Sequence, residues 1–245
     1  EYSEVETDLY NPCIPGSRLG VRSEQIGEKL PDGIEGLHFH TLCESSAESL
    51  ERTLAHVEEK FGHLLHQAKW LNMGGGHWIT GKSYNVDLLI SLIKNLRSKY
   101  DVDIILEPGS AVGWETGVLV STVLDVFSNQ GQMNAMLDTS FSAHMPDTLE
   151  MPYKPRVMGE LKGGKYSYKF GGMTCLAGDF MGDFSFDKEL KAGDKVIFED
   201  MIHYTMVKTT TFNGINLPSI GMLKSDGSFE LYKQFGYEDY RGRLG

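Results

Sequence analysis

Apolar residues in the first half of the chain fall into two alternating rhythms. Short apolar blocks at 34–39, 68–73 and 102–106 have the length and the bounding turn residues of strands. Between them lie two longer stretches in which apolar residues recur every three or four positions. Leu50, Leu54, Val57, Phe61 and Leu65 mark the first stretch, and Val86, Leu89, Ile90, Ile93 and Leu96 form the expected buried side of the second, which spans 85–100. Ser45, Ser46, Ala47 and Glu48 predict a capping box at the start of the first helix. Strand, helix, strand, helix, strand in that order predicts parallel strands joined by right-handed crossovers, so that all three strands end on one side.

From about Gly117 the rhythm changes. Strand-like runs at 118–126, 132–137, 166–170, 195–198 and 204–212 are separated by turns carrying Asn, Gly and Asp, with no helical pattern between them. The expected fold class is α/β plus β: a partial (β/α)8 barrel of the TIM type over residues 1–116, then a mostly antiparallel β-domain over 117–245. A complete barrel of eight units takes about 250 residues, and the α/β part here supplies three to four units. The chain is therefore expected to lack an amino-terminal portion, and its opening on Glu1 instead of Met agrees with that expectation.

Composition narrows the picture further. The chain has 245 residues, 40% of them hydrophobic, which is enough for one large core or two modest ones. Its longest apolar stretches are interrupted within a few residues, so neither a membrane span nor a secretory signal is expected, and the cytosol is the expected location. Cys13, Cys43 and Cys175 are odd in number, far apart and without a C-x-x-C pair, which argues against disulfides and structural zinc. A net charge of -11 opposes a nucleic-acid partner, since backbone phosphates require a basic surface. It is compatible with a cationic substrate.

Chemistry gathers where the three blocks end. Gly74, Gly75 and Gly76 follow the second block, and a glycine run there exposes backbone N–H groups that can cradle a phosphate. A tight turn is the plainer explanation of the same glycines. Glu107, Pro108 and Gly109 close the third block, and a carboxylate there needs a donor, such as a ring N–H, or a structural salt bridge. His38 and His40 end the first block on one face. With Glu107 they could ligate zinc, but the neighbouring glycine run favours phosphate over metal. His56, His63 and His66 lie along one helix and read as surface or edge residues.

The ordered motifs Gly36-Leu37-His38-Phe39-His40, Leu71 to Trp78, Glu107-Pro108-Gly109-Ser110, Gly172-Met173-Thr174-Cys175 and His203-Tyr204-Thr205 resemble a known family. They are similar to the alanine-racemase-fold decarboxylases that depend on pyridoxal 5'-phosphate, and most closely to the carboxynorspermidine (carboxyspermidine) branch. The resemblance covers essentially the whole chain and implies decarboxylation to norspermidine or spermidine in polyamine biosynthesis. It implies that His40 stacks on the pyridine ring, that Gly74, Gly75, Gly76 and Tyr204 serve the phosphate, that Glu107 bonds the ring nitrogen, and that Gly109 belongs to the cofactor-binding set. A charge-assisted bond of that kind is worth about 1.5 to 3 kcal/mol. Cys175 would act at the reacting carbon, entering the partner subunit's site of a homodimer. Asp138, His144, Glu150 and Asp179 are the candidate substrate contacts.

Two positions depart from related families. Ser110 stands where ornithine and diaminopimelate decarboxylases usually carry arginine, and Leu176 replaces the acidic residue that follows the cysteine in ornithine decarboxylases. The resemblance also places the Schiff-base lysine before Glu1, since neither Lys69 nor Lys82 has the right setting, so this chain alone is expected to be inactive. Three alternatives stay open: a diaminopimelate or other basic amino acid decarboxylase, a catalytically silent homologue, and a metal-dependent barrel hydrolase using His38, His40 and Glu107.

Overall fold

A computed structural model describes residues 1–245, which divide into two compact units, Glu1–Trp114 and Glu115–Gly245. In the first unit a short helix, α1 (Ser23–Ile26), precedes β1 (Gly36–His38), α2 (Ala47–Leu65), β2 (Trp70–Asn72), α3 (Val86–Tyr100), β3 (Asp103–Ile105) and α4 (Ser110–Gly113). The three strands form one sheet in the order β1-β2-β3, paired in parallel with Leu37, Leu71 and Ile104 in register. The sheet ladder runs on past the strands. Phe39 donates its N–H to the Asn72 carbonyl (3.0 Å), Met73 to Ile105 (2.9 Å) and Glu107 to Gly74 (2.8 Å). These bonds carry the order of the sheet into the loops at its carboxyl edge.

Side chains at the helix starts set the helix boundaries. The Ser46 hydroxyl caps α2 by accepting from the Ser49 amide at 3.3 Å, one residue later than the predicted box, and Glu48 accepts instead from the Asn85 side chain. Asn85 caps α3 through the Leu88 amide, and Asp101 ends it in the left-handed conformation at φ 55°. Leu50, Leu54 and Leu65 from α2 and Leu89, Leu96 and Tyr100 from α3 pack with Leu71, Met73 and Val102 as the core of this unit. The predicted buried side of α3 is corrected at two positions. Val86 and Ile90 are 47% and 43% exposed, because the buried stripe follows Leu89, Leu96 and Tyr100.

In the second unit β4 (Val118–Asn129) and β5 (Gln132–Leu137) form a hairpin, followed by the short helices α5 (Phe141–His144) and α6 (Asp147–Glu150). Next come β6 (Tyr166–Gly171), β7 (Phe180–Phe186), β8 (Lys195–Glu199) and α7 (Tyr204–Lys208). A hairpin of β9 (Ile220–Leu223) and β10 (Phe229–Lys233) and a final helix α8 (Tyr237–Leu244) complete the unit. The five-stranded sheet has the order β7-β6-β5-β4-β8, and only β5 and β6 run parallel. Its inner face buries an aromatic core. Phe170 stacks on Phe184 with ring centroids 4.5 Å apart, and Phe198 meets both rings edge-on. The predicted strand over 204–212 is instead α7 and a following turn, and helices do interrupt the strand runs. No helix is long and apolar enough to cross a membrane.

Candidate functional site

Parallel pairing puts His38, Asn72 and Ile105 side by side, with Glu107 two residues beyond Ile105. A step of two residues along an extended chain returns to the same face, so the carboxylate of Glu107 projects beside Asn72 and His38. Asn72 Nδ2 donates to Glu107 Oε1 at 2.8 Å, and His38 Nε2 lies 3.5 Å from Oε2. The Asn72 hydrogen bond, opposed by partial desolvation and aided by the two histidines, holds the Glu107 carboxyl below the usual carboxylate range. Glu107 therefore stands at this edge as an anion.

The same asparagine reaches the glycine turn. Asn72 Oδ1 accepts from the Gly74 amide at 2.9 Å, which fixes the orientation of its amide group, and the Gly75 amide donates to His40 Nδ1 at 3.2 Å. A neutral His40 ring must then carry its proton on Nε2. The glycines themselves are required by close backbone approach. A Cβ on Gly75 would lie 2.6 Å from the Glu107 carbonyl oxygen, and one on Gly76, whose φ is +80°, would lie 2.1 Å from the Leu42 carbonyl. His77 underpins the turn: it is 2% exposed and its Nε2 lies 3.0 Å from the Met73 carbonyl. Burial pushes its pKa below the ordinary histidine value.

The fold thus brings together His38, His40, Gly74, Gly75, Gly76 and Glu107. Ligand atoms of His38, His40 and Glu107 all lie within 4.8 Å of one another. Gly109 precedes α4 nearby in sequence, two residues past Glu107. Lys69 pairs with Glu35 on the surface. Sequence reasoning did not assign roles to Asn72 and His77. The signal for both was their place in the motif Leu71 to Trp78, and the register of Asn72 with His38 is what the structure adds.

The remaining candidates lie in the second unit. Cys175 is exposed, and its thiol donates to Asn213 Oδ1 at 3.5 Å. Tyr204 opens α7 and is 55% exposed. Glu150 shares Lys208 with Asp147. Asp138 accepts from the Ser121 hydroxyl and the Thr122 amide, both at 2.7 Å. Burial alone would raise its pKa, but these hydrogen bonds outweigh burial and lower it. His144 and Asp179 are buried and engaged within the fold. His144 Nδ1 meets the Thr139 hydroxyl and the Ser140 amide and its Nε2 the Asn216 carbonyl, while Asp179 receives five hydrogen bonds.

A family model described as pyridoxal-dependent decarboxylase, C-terminal sheet domain, matches residues 9–202. The chain belongs to the pyridoxal-dependent decarboxylase family. It is 54% identical to carboxyaminopropylagmatine decarboxylase of Synechocystis sp., over 100% of this chain and 64% of that protein. It is 49% identical to carboxynorspermidine/carboxyspermidine decarboxylase of Campylobacter jejuni, over 98% of this chain and 66% of that protein. A crystal structure of carboxynorspermidine decarboxylase from Campylobacter jejuni, complexed with norspermidine, matches with a TM-score of 0.88 at 49% identity. That match covers 94% of this chain and 66% of the other. The chain therefore spans a little under two thirds of the length of the curated relatives it matches.

The residues present fit the pyridoxal group of this decarboxylase family. An ionised carboxylate oriented by Asn72 suits a protonated ring nitrogen, and an imidazole locked by the Gly75 amide offers a fixed flat surface beside it.

Proposed function

We propose that this chain is part of a pyridoxal 5'-phosphate-dependent decarboxylase acting on carboxynorspermidine or carboxyspermidine, built on a barrel of which the sheet β1-β2-β3 is a section. The observation that carries this reading is the anionic Glu107, held by Asn72 and His38 next to His40 at the ends of three parallel strands. When bound, the cofactor supplies an electron sink for the carbon that loses carbon dioxide. Glu107 would keep the ring nitrogen protonated, His40 would orient the ring, and the Gly76 amide with the residues around Gly109 would serve the phosphate, since the Gly74 and Gly75 amides are taken by Asn72 and His40. Cys175 and Tyr204 take their roles at the reacting carbon and the phosphate from the family resemblance, in a homodimeric, cytoplasmic protein whose net charge of -11 favours a cationic tail. Among the polar candidates, Asp138 and Glu150 are the remaining choices for substrate contacts.

A second substrate is favoured by one specific observation. The relative at 54% identity is a carboxyaminopropylagmatine decarboxylase, whose substrate ends in a guanidinium where the norspermidine compounds end in an amine. Release of carbon dioxide from each compound, by a protein of the relatives' full length containing this chain, separates the two substrates. Cofactor binding is measured on the chain itself, by quenching of the three tryptophans, Trp70, Trp78 and Trp114. Glu107→Gln is expected to weaken pyridoxal 5'-phosphate binding on the order of tenfold, since a neutral amide replaces a charge-assisted acceptor. Equal affinity in the variant contradicts the role given to Glu107.

A further inference from the structure

We infer that Asp179 is a positioning residue for Cys175, a clasp that binds the turn carrying the thiol to the start of α5. Asp179 is 4% exposed, and the five hydrogen bonds its side chain accepts within the chain all come from neutral donors. Oδ1 accepts from the Phe141 and Ser142 amides at 2.7 and 3.1 Å. Oδ2 accepts from the Ser140 hydroxyl at 2.8 Å, and from the Thr174 amide and hydroxyl at 3.1 and 2.6 Å. One oxygen thus holds the start of α5, and the other joins that start to the residue immediately before Cys175.

The backbone closes the same turn. Gly172 donates to the Asp179 carbonyl at 2.8 Å, Asp179 to the Leu176 carbonyl at 2.9 Å, and Met173 to the Thr139 carbonyl at 3.0 Å. The fit around the carboxylate leaves no slack at Gly172, where a Cβ would meet Asp179 Oδ2 at 2.4 Å. Cys175 itself is held only by Asn213 among side chains. Its place therefore follows from the turn, and the turn depends on Asp179. An ionised carboxylate is an acceptor at both oxygens. Asparagine, although the same shape, must point an N–H₂ either at the two α5 amides or at the Thr174 amide, so one half of the clasp opens.

The clasp is a matter of geometry; its consequence for turnover rests on the proposed role of Cys175. Two measurements keep these apart. Amide hydrogen exchange of the chain is followed at 172–178 in Asp179→Asn and, as a milder variant that keeps the fold, in Thr174→Val. Loss of a buried charged hydrogen bond is expected to speed exchange there on the order of tenfold to a hundredfold, with the amides of β4 to β6 unchanged. Unchanged exchange at 172–178 in both variants overturns the clasp.

The second measurement uses a protein of the relatives' full length containing this chain. Asp179→Asn is expected to lower kcat more than it raises KM, and to cost nothing further once Cys175→Ala is present. An equal loss in both backgrounds makes Asp179 merely structural and overturns the positioning role. If Cys175→Ala alone leaves kcat intact, the functional reading of Cys175 fails, and the positioning role with it, while faster exchange still supports the clasp.

Discussion

Gly75→Ala tests the packing of the site without requiring any ligand. Gly75, unlike Gly74 and Gly76, is not in the left-handed region, so the effect of alanine is argued from space. The added methyl lies 2.6 Å from the Glu107 carbonyl oxygen and 3.0 Å from His40 Cε1, and ordinary contact begins near 3.4 Å. The backbone must therefore open by about 0.8 Å, and the Glu107 carbonyl cannot withdraw freely while the Glu107 amide is bound to Gly74. Overpacking of this kind costs about 1 to 3 kcal/mol. Gly76→Ala adds left-handed strain of about 1 to 2 kcal/mol, for an expected loss of about 2 to 5 kcal/mol. At about 4 °C per kcal/mol for a unit of this size, the midpoints fall by about 4 to 12 °C and about 8 to 20 °C respectively. All three tryptophans lie in Glu1–Trp114, so thermal unfolding followed by tryptophan fluorescence reports on this unit selectively. Gly242→Ala, in α8 of the other unit with nothing within 4 Å, is the control and should leave that transition unmoved. A Gly75→Ala protein that melts like the parent refutes the close approach between the glycine turn and the Glu107 backbone.

Two predictions concern pH. Burial lowers the pKa of His77 and of His144 below 6.5, so the unfolded chain binds more protons than the folded one beneath that value and stability rises with pH there. Urea unfolding is expected to show stability falling as pH drops from 6.5 towards 5.5, and His77→Gln should flatten the slope seen by tryptophan fluorescence; a slope that persists unchanged contradicts the assignment to His77. Glu4 is the opposite case: the Arg52 guanidinium, with its two hydrogen bonds, pulls its pKa down to about 2. The stabilisation it brings is complete above 4.5 and fades as pH falls through about 2. NMR titration of Arg52→Ala should return Glu4 towards 4.5, and a Glu4 that still titrates near 2 removes Arg52 as the cause.

Much of the first unit could be read from periodicity, because its strands and helices alternate and each ends on a recognisable turn. The convergence of His40, Gly75 and Glu107 followed from parallel pairing alone. Side chains whose function depends on register or distant partners were less legible. Val86 and Ile90 satisfy helical spacing yet flank the stripe that Leu89, Leu96 and Tyr100 bury. The run 204–212 is rich in β-branched residues, and tertiary context made part of it helical. The strand β7 was hidden by Gly182 and Asp183, which break its alternation. Asp179 and His144 read as free polar groups because their partners lie up to 72 positions away in sequence, as with His144 and Asn216.

The hydrogen bonds of the glycine turn change what its amides can do. An amide has one proton to give, and the Gly74 and Gly75 protons already go to Asn72 and His40. A phosphate cannot take either without releasing the asparagine that orients Glu107 or the ring lock on His40. The three glycines are therefore explained first by proximity: the turn must pass within contact distance of the Phe39, Glu107 and Leu42 backbones, where no side chain fits. Phosphate recognition then falls to donors outside that pair, with the Gly76 amide and the residues around Gly109 the nearest in sequence. Asn72 and the glycine turn accordingly act as one rigid part whose output is the placement of Glu107 and His40, and a change at any of them should be felt at the ring before it is felt at the phosphate.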